Sequence, residues 1–182
     1  MNVLAIVGSL RRGSYNKLAL RAAMELKPAD MDIESYDIAA IPPYNDDIRE
    51  QGYPPAVQEF REKIRAADAL LIVTPEYNYS VPGVLKNAID WASRPPSQPL
   101  DDKPLAIMGA SPGRLGTARA QYHLRQIAVF VNMHVLNRPE VMIAGAAKAF
   151  DSSGRLIDDG ARKLIAELLL NLEDWTARLR RR

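Results

Sequence analysis

Three short segments of the chain consist almost entirely of apolar residues, and each has the length of a buried β-strand. They are Val3–Val7, Ala69–Thr74 and Leu105–Ala110. Apolar runs without alternation are typical of central strands in a parallel sheet, because helices cover both faces of such a sheet. Segments with helical periodicity separate the three runs. This alternation predicts an α/β domain built on a parallel sheet.

Two further segments predict the outer strands. Asp32–Ile38 alternates polar and apolar residues, which suits a half-exposed edge strand, and Val135–Leu136 is a weak candidate for a fifth strand. Right-handed crossovers between five parallel strands produce a three-layer, doubly wound sandwich. The edge character of the second strand and the count of five favour the strand order 2-1-3-4-5 over a six-stranded dinucleotide-binding fold.

The segments between the strands carry helical patterns. The first predicted helix runs from about Tyr15 to Lys27, with Ser14 as its N-cap and Pro28 as its stop. The other predicted helices are one marked by Val57, Phe60, Ile64 and Ala67, then Val84–Ala92, about Thr117–Val131, and a last one with an apolar stripe of Ala161, Leu164, Ile165, Leu168, Leu169, Leu172 and Trp175. Ile41–Pro55 holds four prolines and predicts a long loop.

The composition excludes several kinds of chemistry. The 182 residues predict a single domain, 1–182, and the absence of cysteine excludes disulfides, thiolate metal sites and iron–sulfur clusters. The formal net charge of +2 gives no general attraction to nucleic acid or membranes. The first apolar run is too short for a signal peptide or a membrane span, so we expect a cytoplasmic protein.

The loop after the first strand predicts a phosphate site, because ligands of doubly wound sheets bind beyond the carboxyl ends of the strands. This segment, Gly8–Asn16, is called loop 1. Ser9, Ser14 and Asn16 offer neutral hydrogen-bond donors, and Arg11 offers a charged one beside a helix N-terminus. The alternative is a capped turn with solvated arginines. Neither the Walker A lysine nor a Gly-x-Gly-x-x-Gly pattern is present.

Two more loops should reach the same edge of the sheet. Loop 2, Pro75–Gly83, holds two prolines and a glycine that restrict its backbone, and Tyr77 and Tyr79 offer ring faces to a flat polar ligand. An ordinary strand-to-helix connection is the alternative reading of loop 2. Loop 3, Ser111–Thr117, combines two glycines with a helix start, and Arg114 is placed to stabilise negative charge on a reduced ring.

Two motifs occur together at a fixed spacing. The residues concerned are Gly8-Ser9-Leu10-Arg11, Ser14 and Asn16, then Pro75-Glu76-Tyr77-Asn78, Ser80, Gly83, Leu85-Lys86-Asn87-Ala88-Ile89-Asp90-Trp91 and Ser93-Arg94-Pro95. With this pair of motifs the chain resembles the NADPH-dependent FMN reductase family, which includes chromate, quinone and azo-dye reductases. The segment from Arg119 to Gln126 is also similar to the quinone-reductase relatives. The resemblance covers nearly the whole chain.

The resemblance implies a flavodoxin-like fold that binds FMN and uses NADPH or NADH as co-substrate. It implies that the phosphate of FMN contacts Ser9, Arg11, Ser14 and Asn16. It implies that the isoalloxazine edge contacts Pro75, Glu76, Tyr77 and Asn78, with Ser111 and Gly113. Because the flavin carries the chemistry, we expect no catalytic side chain and no metal.

The function implied by the resemblance is transfer of two electrons from NAD(P)H through FMN to small acceptors. Quinones, azo compounds, free flavin and metal oxyanions are the acceptors that family members use. One alternative is a flavodoxin-type electron carrier, although carriers are usually markedly acidic and this chain is nearly neutral. A flavin-binding sensor without turnover is the other alternative.

Several conspicuous residues are expected to have structural or surface roles. His123 and His134 are read as hydrogen-bonded or surface side chains rather than ligands or bases. The acidic residues Asp46, Asp47 and Glu50 are read as part of a solvated loop, and so is the pair Asp101 and Asp102. The terminal arginines, Arg178, Arg180, Arg181 and Arg182, are read as a solvated tail at a helix C-terminus.

A homodimer or homotetramer is expected, with the flavin site near a subunit boundary. The helix around Thr117–Val131 carries apolar residues around much of its circumference, namely Tyr122, Ile127, Val129, Phe130 and Val131. The proline-rich loop contains Tyr44 and Tyr53 and has no obvious partner within the chain. The family resemblance also implies oligomers, and a closed two-fold arrangement is the commonest kind.

Overall fold

The computed structural model of the protein describes residues 1–180. Its centre is one parallel sheet, in which the strands follow the order β2-β1-β3-β4-β5 and β6 also pairs with β4. The strands are β1 Asn2–Val7, β2 Asp32–Tyr36, β3 Ala69–Val73, β4 Pro104–Ala110, β5 His134–Val135 and β6 Val141–Ile143. The predicted doubly wound sheet with the order 2-1-3-4-5 is therefore confirmed.

Helices cover both faces of this sheet. They are α1 Tyr15–Leu26, α2 Asp46–Glu50, α3 Pro55–Ala66, α4 Gly83–Ala92, α5 Ala118–Phe130, α6 Ala146–Ala149 and α7 Asp159–Arg180. On one face, α1 and α7 pack over Val3, Ala5 and Val7, while α3, α4 and α5 cover Leu4 and Ile6 on the other. Because successive side chains of a strand point to opposite faces, a central strand covered on both sides has to be apolar throughout.

The fifth strand, predicted at Val135–Leu136, is β5 at His134–Val135, and a second short strand at the same edge, β6, was not indicated by the sequence. β5 pairs with Pro104 and Leu105 at the start of β4, and β6 pairs with Met108–Ala110 at its end. The residues between β5 and β6 interrupt the edge strand. A three-residue strand such as β6 is too short to display a periodicity, so the prediction of five strands missed it.

The first helix begins as its sequence predicts. Ser14 is the N-cap of α1, and its side chain accepts a hydrogen bond from the backbone N–H of Asn16. The helix ends at Leu26, one residue before the predicted end and two before Pro28. Since a residue before proline is disfavoured in the helical conformation, this end is locally encoded. The position of loop 1 at the start of α1 follows from these local signals.

The proline-rich segment differs from its prediction in two ways. It contains the short helix α2, which Asn45 caps, and a 3-10 turn at Ile38–Ala40 precedes it. It also has a partner within the chain, because the rings of Tyr44 and Tyr53 both meet Trp91 of α4 edge-on. The expectation that this loop lacks an intramolecular partner was therefore wrong, and the loop no longer supports an oligomer.

The apolar residues predicted to surround α5 fall into two groups. Val131 is only 3% exposed, and Ile127 packs against the core, so the chain itself covers both. By contrast, Tyr122 is 54%, Val129 80% and Phe130 85% exposed. The predicted stripe of α7 is mostly buried, although Leu164 on it is exposed. Of the residues predicted to need a second protein surface, Tyr122, Val129 and Phe130 on α5 are the ones that the chain leaves uncovered.

The helices also bear on membrane spanning and on the terminal arginines. Within residues 1–180, no helix is both long and apolar enough to cross a membrane. Arg178 and Arg180 lie in the last turn of α7, whereas Arg181 and Arg182 fall outside the described residues. The prediction of a solvated arginine tail therefore remains a prediction for those two residues.

Candidate functional site

Loops 1, 2 and 3 meet at the carboxyl end of the sheet because β1, β3 and β4 are parallel neighbours. The backbone N–H of Gly8 donates to the carbonyl of Val73 at 2.9 Å, which joins the ends of β1 and β3. The hydroxyls of Ser9 and Tyr77 lie 3.5 Å apart, so loops 1 and 2 face each other. Their convergence forms the candidate site, as the topology predicts.

Loop 1 presents a row of free backbone donors. Among the described residues, no hydrogen bond is donated by the backbone N–H groups from Ser9 to Tyr15. Ser9 and Ser14 are 4% and 5% exposed, while Arg11 and Arg12 are exposed and form no ion pair in the part of the chain described. Free amides, buried hydroxyls and cations at a helix N-terminus fit an anionic group such as one phosphate.

Asn16 joins loop 1 to the strand below loop 3. Its side-chain N–H donates to the carbonyl of Ala110 at 2.9 Å, and its side-chain oxygen accepts from the N–H of Ala110 at the same distance. The residue is 2% exposed. Asn16 was predicted to donate to a phosphate, and this reciprocal pair leaves its amide with one remaining N–H group. Its visible role is to hold the start of α1 against the end of β4.

Loop 2 contains a two-residue turn that aims its aromatic rings outward. Tyr77 and Ser80 exchange two backbone hydrogen bonds of 3.0 Å. The two residues between them, Asn78 and Tyr79, have φ angles of +49° and +67°. Asparagine tolerates this left-handed conformation better than most residues, whereas tyrosine there is unusual. Tyr77 and Tyr79 are 49% and 67% exposed, which leaves ring faces open to a flat ligand.

The carboxylate of Glu76 turns away from the open surface and caps α5. It accepts hydrogen bonds from the backbone N–H groups of Arg119 at 2.9 Å and Ala120 at 3.2 Å. It also accepts from Nε of Arg119 at 2.6 Å, and this bond raises the pKa of the guanidinium. The same guanidinium lies 3.6 Å from the ring centroid of Tyr79. Only the backbone of Glu76 remains for a ligand at the predicted ring site.

Arg119 is the residue of this arrangement that the sequence reasoning missed. In the sequence, Arg119 is only the first residue of the segment that is similar to quinone-reductase relatives. A Glu at the end of one strand and an Arg at the start of a helix more than forty residues later give no local pattern. Ser80 makes a second link to α5, because its hydroxyl lies 2.9 Å from Nδ1 of His123.

Loop 3 rests on the segment that follows β6. The carbonyl of Ser111 accepts from the N–H of Ala146 at 3.0 Å, and the carbonyl of Gly113 accepts from Gly145 at 3.1 Å. The hydroxyl of Ser111 accepts from the N–H of Gly113 at 3.1 Å. β6, which the sequence did not indicate, therefore supports one of the three predicted ligand loops.

Gly109 allows the strands beneath the loops to approach closely. A Cβ atom at this position would overlap the carbonyl oxygen of Thr74 and Oγ1 of Thr117. Only a residue without a side chain fits between the ends of loops 2 and 3. The side chain of Thr117, which is fully buried, also accepts a 2.9 Å hydrogen bond from Nε2 of Gln121.

The two histidines lie in ordinary hydrogen-bonded settings, and so does Asp46, which belongs with Asp47 and Glu50 to α2 rather than to the predicted loop. His134 contacts Asp102 at 2.8 Å beside the start of β4, at the end of the sheet opposite to the three loops. Asp46 accepts from Tyr44 and Arg49, and the bond from Arg49 lowers the pKa of the carboxyl. In residues 1–180, no group of three or more His, Asp or Glu side chains is placed to hold a metal ion.

The site as a whole matches a ligand with one anionic group and a flat polar ring. Loop 1 supplies the donors for the anion, and loops 2 and 3 supply fixed backbone groups beside the exposed rings of Tyr77 and Tyr79. The buried side chains of Asn16 and Glu76 bond to backbone groups of Ala110 and α5 rather than forming a nucleophile and base. This chemistry fits FMN, whose own ring system performs the electron transfer.

The chain is similar to flavin-dependent reductases in sequence and in structure. A sequence model of the family described as NADPH-dependent FMN reductase matches residues 1–148. An NAD(P)H-dependent FMN reductase of Pseudomonas aeruginosa is 63% identical over 180 residues, which cover 99% of this chain and 97% of that protein. A quinone reductase of Escherichia coli K12 is 48% identical over 163 residues, covering 88% of this chain and 87% of that protein.

The structural comparison leads to the same group of enzymes. The flavoenzyme NAD(P)H:(acceptor) oxidoreductase FerB from Paracoccus denitrificans superposes with a TM-score of 0.89 at 35% identity, with 97% of each chain covered. An azoreductase from Bacillus anthracis, at 18% identity and a TM-score of 0.59, shares the fold over 97% of this chain and 98% of its own.

Proposed function

The chain belongs to the NADPH-dependent FMN reductase family and is a flavin-dependent oxidoreductase, and on that premise we propose that it oxidises NAD(P)H and reduces small acceptors of the quinone class. Azo compounds, free flavin and metal oxyanions are further candidates, because an open flavin face selects weakly among flat or small acceptors. Bound FMN would supply the two-electron chemistry that links oxidation of the nicotinamide to reduction of the acceptor.

In this proposal the residues of loop 1 bind the phosphate of FMN. The free amides from Ser9 to Tyr15 and the hydroxyls of Ser9 and Ser14 are the neutral donors, and Arg11 supplies the charge. Asn16 contributes by orienting the loop through Ala110 and with its remaining N–H group. The N-terminus of α1 adds a favourable dipole at the same place.

Loops 2 and 3 bind and orient the ring in this proposal. The backbone groups of Pro75–Asn78 face its edge, and Ser111 and Gly113 approach it from loop 3. The contact between Glu76 and α5 keeps the turn of loop 2 in one position, so the backbone is preorganised before the ring binds. Arg114 is exposed and forms no ion pair in the described residues, and it stabilises negative charge near loop 3.

The observation that carries the proposal is the convergence of the three loops around the free amides of loop 1. The test is steady-state oxidation of NADPH and NADH by the purified, FMN-loaded protein with benzoquinone as acceptor. We expect turnover without any added reductase. Oxidation that needs a separate reductase would identify an electron carrier. Bound flavin without turnover, whether or not a reductase is added, would identify a sensor.

We also propose that the protein is a homodimer or homotetramer. The support is the apolar surface left on α5 by Tyr122, Val129 and Phe130, of which the last two are at least 80% exposed. Adjacent apolar side chains this exposed are typical of surfaces that a second protein covers. Tyr122 lies one turn after Arg119, where α5 meets Glu76 and Tyr79, so a partner subunit that covers Tyr122 would lie near the proposed flavin site, whereas Val129 and Phe130 are at the other end of the helix.

A further inference from the structure

A cavity separate from the three-loop site opens beside loop 1, on the side of β1 that faces the edge strand β2. Its volume is about 340 Å³, near the lower end of the ~300–1,000 Å³ that is usual for small-molecule sites. Val7 and Ser9 contribute from the end of β1, and Ser35, Tyr36 and Asp37 contribute from the end of β2. Loops 2 and 3 follow β3 and β4, which lie on the other side of β1.

The cavity has an apolar floor. Leu20 and Met24 of α1 line it together with Val7 at the end of β1. Tyr36 borders the cavity at the end of β2, but its ring packs on Phe60 on the other face of the sheet, and its hydroxyl donates to the carbonyl of Ala56 there at 2.9 Å. An apolar surface of this kind suits a flat heterocycle such as adenine.

The rim of the cavity carries two cations on one face of α1. Lys17 and Arg21 are four residues apart and both are exposed. Lys17 forms no ion pair in the described part of the chain. Arg21 donates to the carbonyl of Ser153 at 3.1 Å and reaches Glu25 only at 4.0 Å, with 47% of its side chain exposed. Both cations are therefore available to a phosphate group.

A carboxylate stands on the opposite side of the rim. Oδ1 of Asp37 caps the 3-10 turn through the N–H of Ala39 at 2.9 Å, whereas Oδ2 accepts no hydrogen bond from the described residues. In the dinucleotide-binding Rossmann fold, an acidic residue near this place accepts from the ribose 2′-hydroxyl of NAD, and an arginine instead accommodates the 2′-phosphate of NADP. With a 2′-phosphate between Lys17 and Arg21, Asp37 is left to accept from the ribose 3′-hydroxyl. The cavity thus combines the three groups that an adenosine phosphate requires.

We propose that this cavity binds the adenosine end of the nicotinamide coenzyme, and that Lys17 and Arg21 hold its 2′-phosphate and so favour NADPH over NADH. This inference rests on the proposed function. The cavity adjoins the flavin site, because Ser9 lines the cavity while its hydroxyl faces Tyr77. Arg12 is exposed on loop 1, which borders the cavity through Ser9, and adds positive charge that attracts a pyrophosphate.

Direct binding tests the cavity without relying on turnover. The FMN-loaded protein is titrated calorimetrically with adenosine 2′,5′-bisphosphate and with adenosine 5′-monophosphate. Loaded FMN keeps the phosphate donors of loop 1 from competing. We expect the bisphosphate to bind about tenfold more tightly, since a phosphate between two cations makes charge-assisted contacts. Equal binding of the two nucleotides, or no binding of either, would overturn the proposal.

Variants of the two cations complete the test. In Lys17→Gln/Arg21→Gln, we expect the ratio of kcat/KM for NADPH to that for NADH to fall about tenfold, and the preference for the bisphosphate to disappear. Lys163→Gln, which changes an exposed lysine on α7 that does not line the cavity, is the matched control and should leave the ratio unchanged. An unchanged ratio in the double variant contradicts the inference.

Arg21 also contacts Ser153, so removal of the Arg21 guanidinium changes packing as well as charge. The single variant Lys17→Gln avoids this side effect because it leaves Arg21 in place. We expect about half of the effect on a logarithmic scale, and the flavin content should equal that of the parent protein. If the parent protein oxidises neither coenzyme, the proposed function fails. The titration with the bisphosphate still decides whether the cavity binds an adenosine phosphate.

Discussion

The carboxylate of Glu76 accepts a 2.9 Å hydrogen bond from the backbone N–H of Arg119 and forms an ion pair with the side chain of the same residue. A residue of loop 2 is thereby the N-terminal cap of α5. Thr117, the residue at the N-cap position, makes no side-chain capping bond. Loop 2 and α5 are consequently coupled, and we expect a change in either to alter binding at the proposed flavin site.

Substitution of Glu76 by alanine tests this unit. We expect Glu76→Ala to lower the free energy of unfolding by roughly 1–3 kcal/mol, because it leaves the partly buried N–H groups of Arg119 and Ala120 unpaired. FMN should bind more weakly as well, since the turn of loop 2 loses its support. Urea unfolding and titration of the apoprotein with FMN measure the two effects. Glu34→Ala, which breaks an exposed ion pair with Lys63, should cost about 1 kcal/mol or less.

The protein should purify yellow with FMN rather than FAD. The physical reason is the single anion site at loop 1, where free amides and Arg11 suit one phosphate and no dinucleotide fingerprint is present. Heat release of the flavin followed by chromatography identifies it. Recovery of FAD, or failure of added FMN to bind the apoprotein, would show that the site has been assigned incorrectly.

The two arginines of loop 1 should differ in their effect on FMN. We expect Arg11→Ala to weaken FMN binding by roughly 1.5–3 kcal/mol, because a charge-assisted contact with the phosphate is lost. Arg12→Ala, which removes a neighbouring exposed charge, should change it by about 0.5 kcal/mol or less. Fluorescence titration of the apoproteins with FMN compares the variants. Equal effects would mean that loop 1 is oriented differently around the phosphate.

Gly109 should not tolerate even one methyl group. We expect Gly109→Ala to destabilise the protein by about 1–3 kcal/mol or more, because its Cβ would overlap the carbonyl of Thr74 and Oγ1 of Thr117. Thermal and urea unfolding measure the loss. Gly83→Ala is the control, since nothing lies within 4 Å of the added Cβ at that position. Similar behaviour of the two variants would contradict the close approach of the strands.

The exposed end of α5 should control the oligomeric state. We expect the parent protein to have the mass of a dimer or tetramer by light scattering coupled to size exclusion, and Val129→Asp/Phe130→Asp to have a smaller mass, because charges replace an apolar contact surface. Leu170→Asp changes an exposed leucine on α7 and should leave the mass as it was. A parent protein with the mass of one chain and full activity would refute the oligomer.

Local patterns in the sequence determined the layers of the fold and the loops that carry the site. Uninterrupted apolar runs predicted the three central strands, because strands covered on both faces have no polar side. Ser14 predicted the start of α1, since capping depends on a residue and its immediate neighbours. Once the strand order is 2-1-3-4-5, the parallel strands necessarily bring loops 1, 2 and 3 to one edge.

The tertiary structure alone decided which side chains of those loops remain free. Asn16 is engaged by Ala110, which lies 94 positions away, and the carboxylate of Glu76 by α5. The aromatic residues of the proline-rich segment pack on Trp91, and the cavity beside loop 1 is assembled from three separate elements. Such contacts join residues that are distant in the chain, so no local pattern encodes them. They depend on the register and packing of the whole sheet, which a sequence pattern describes only one segment at a time.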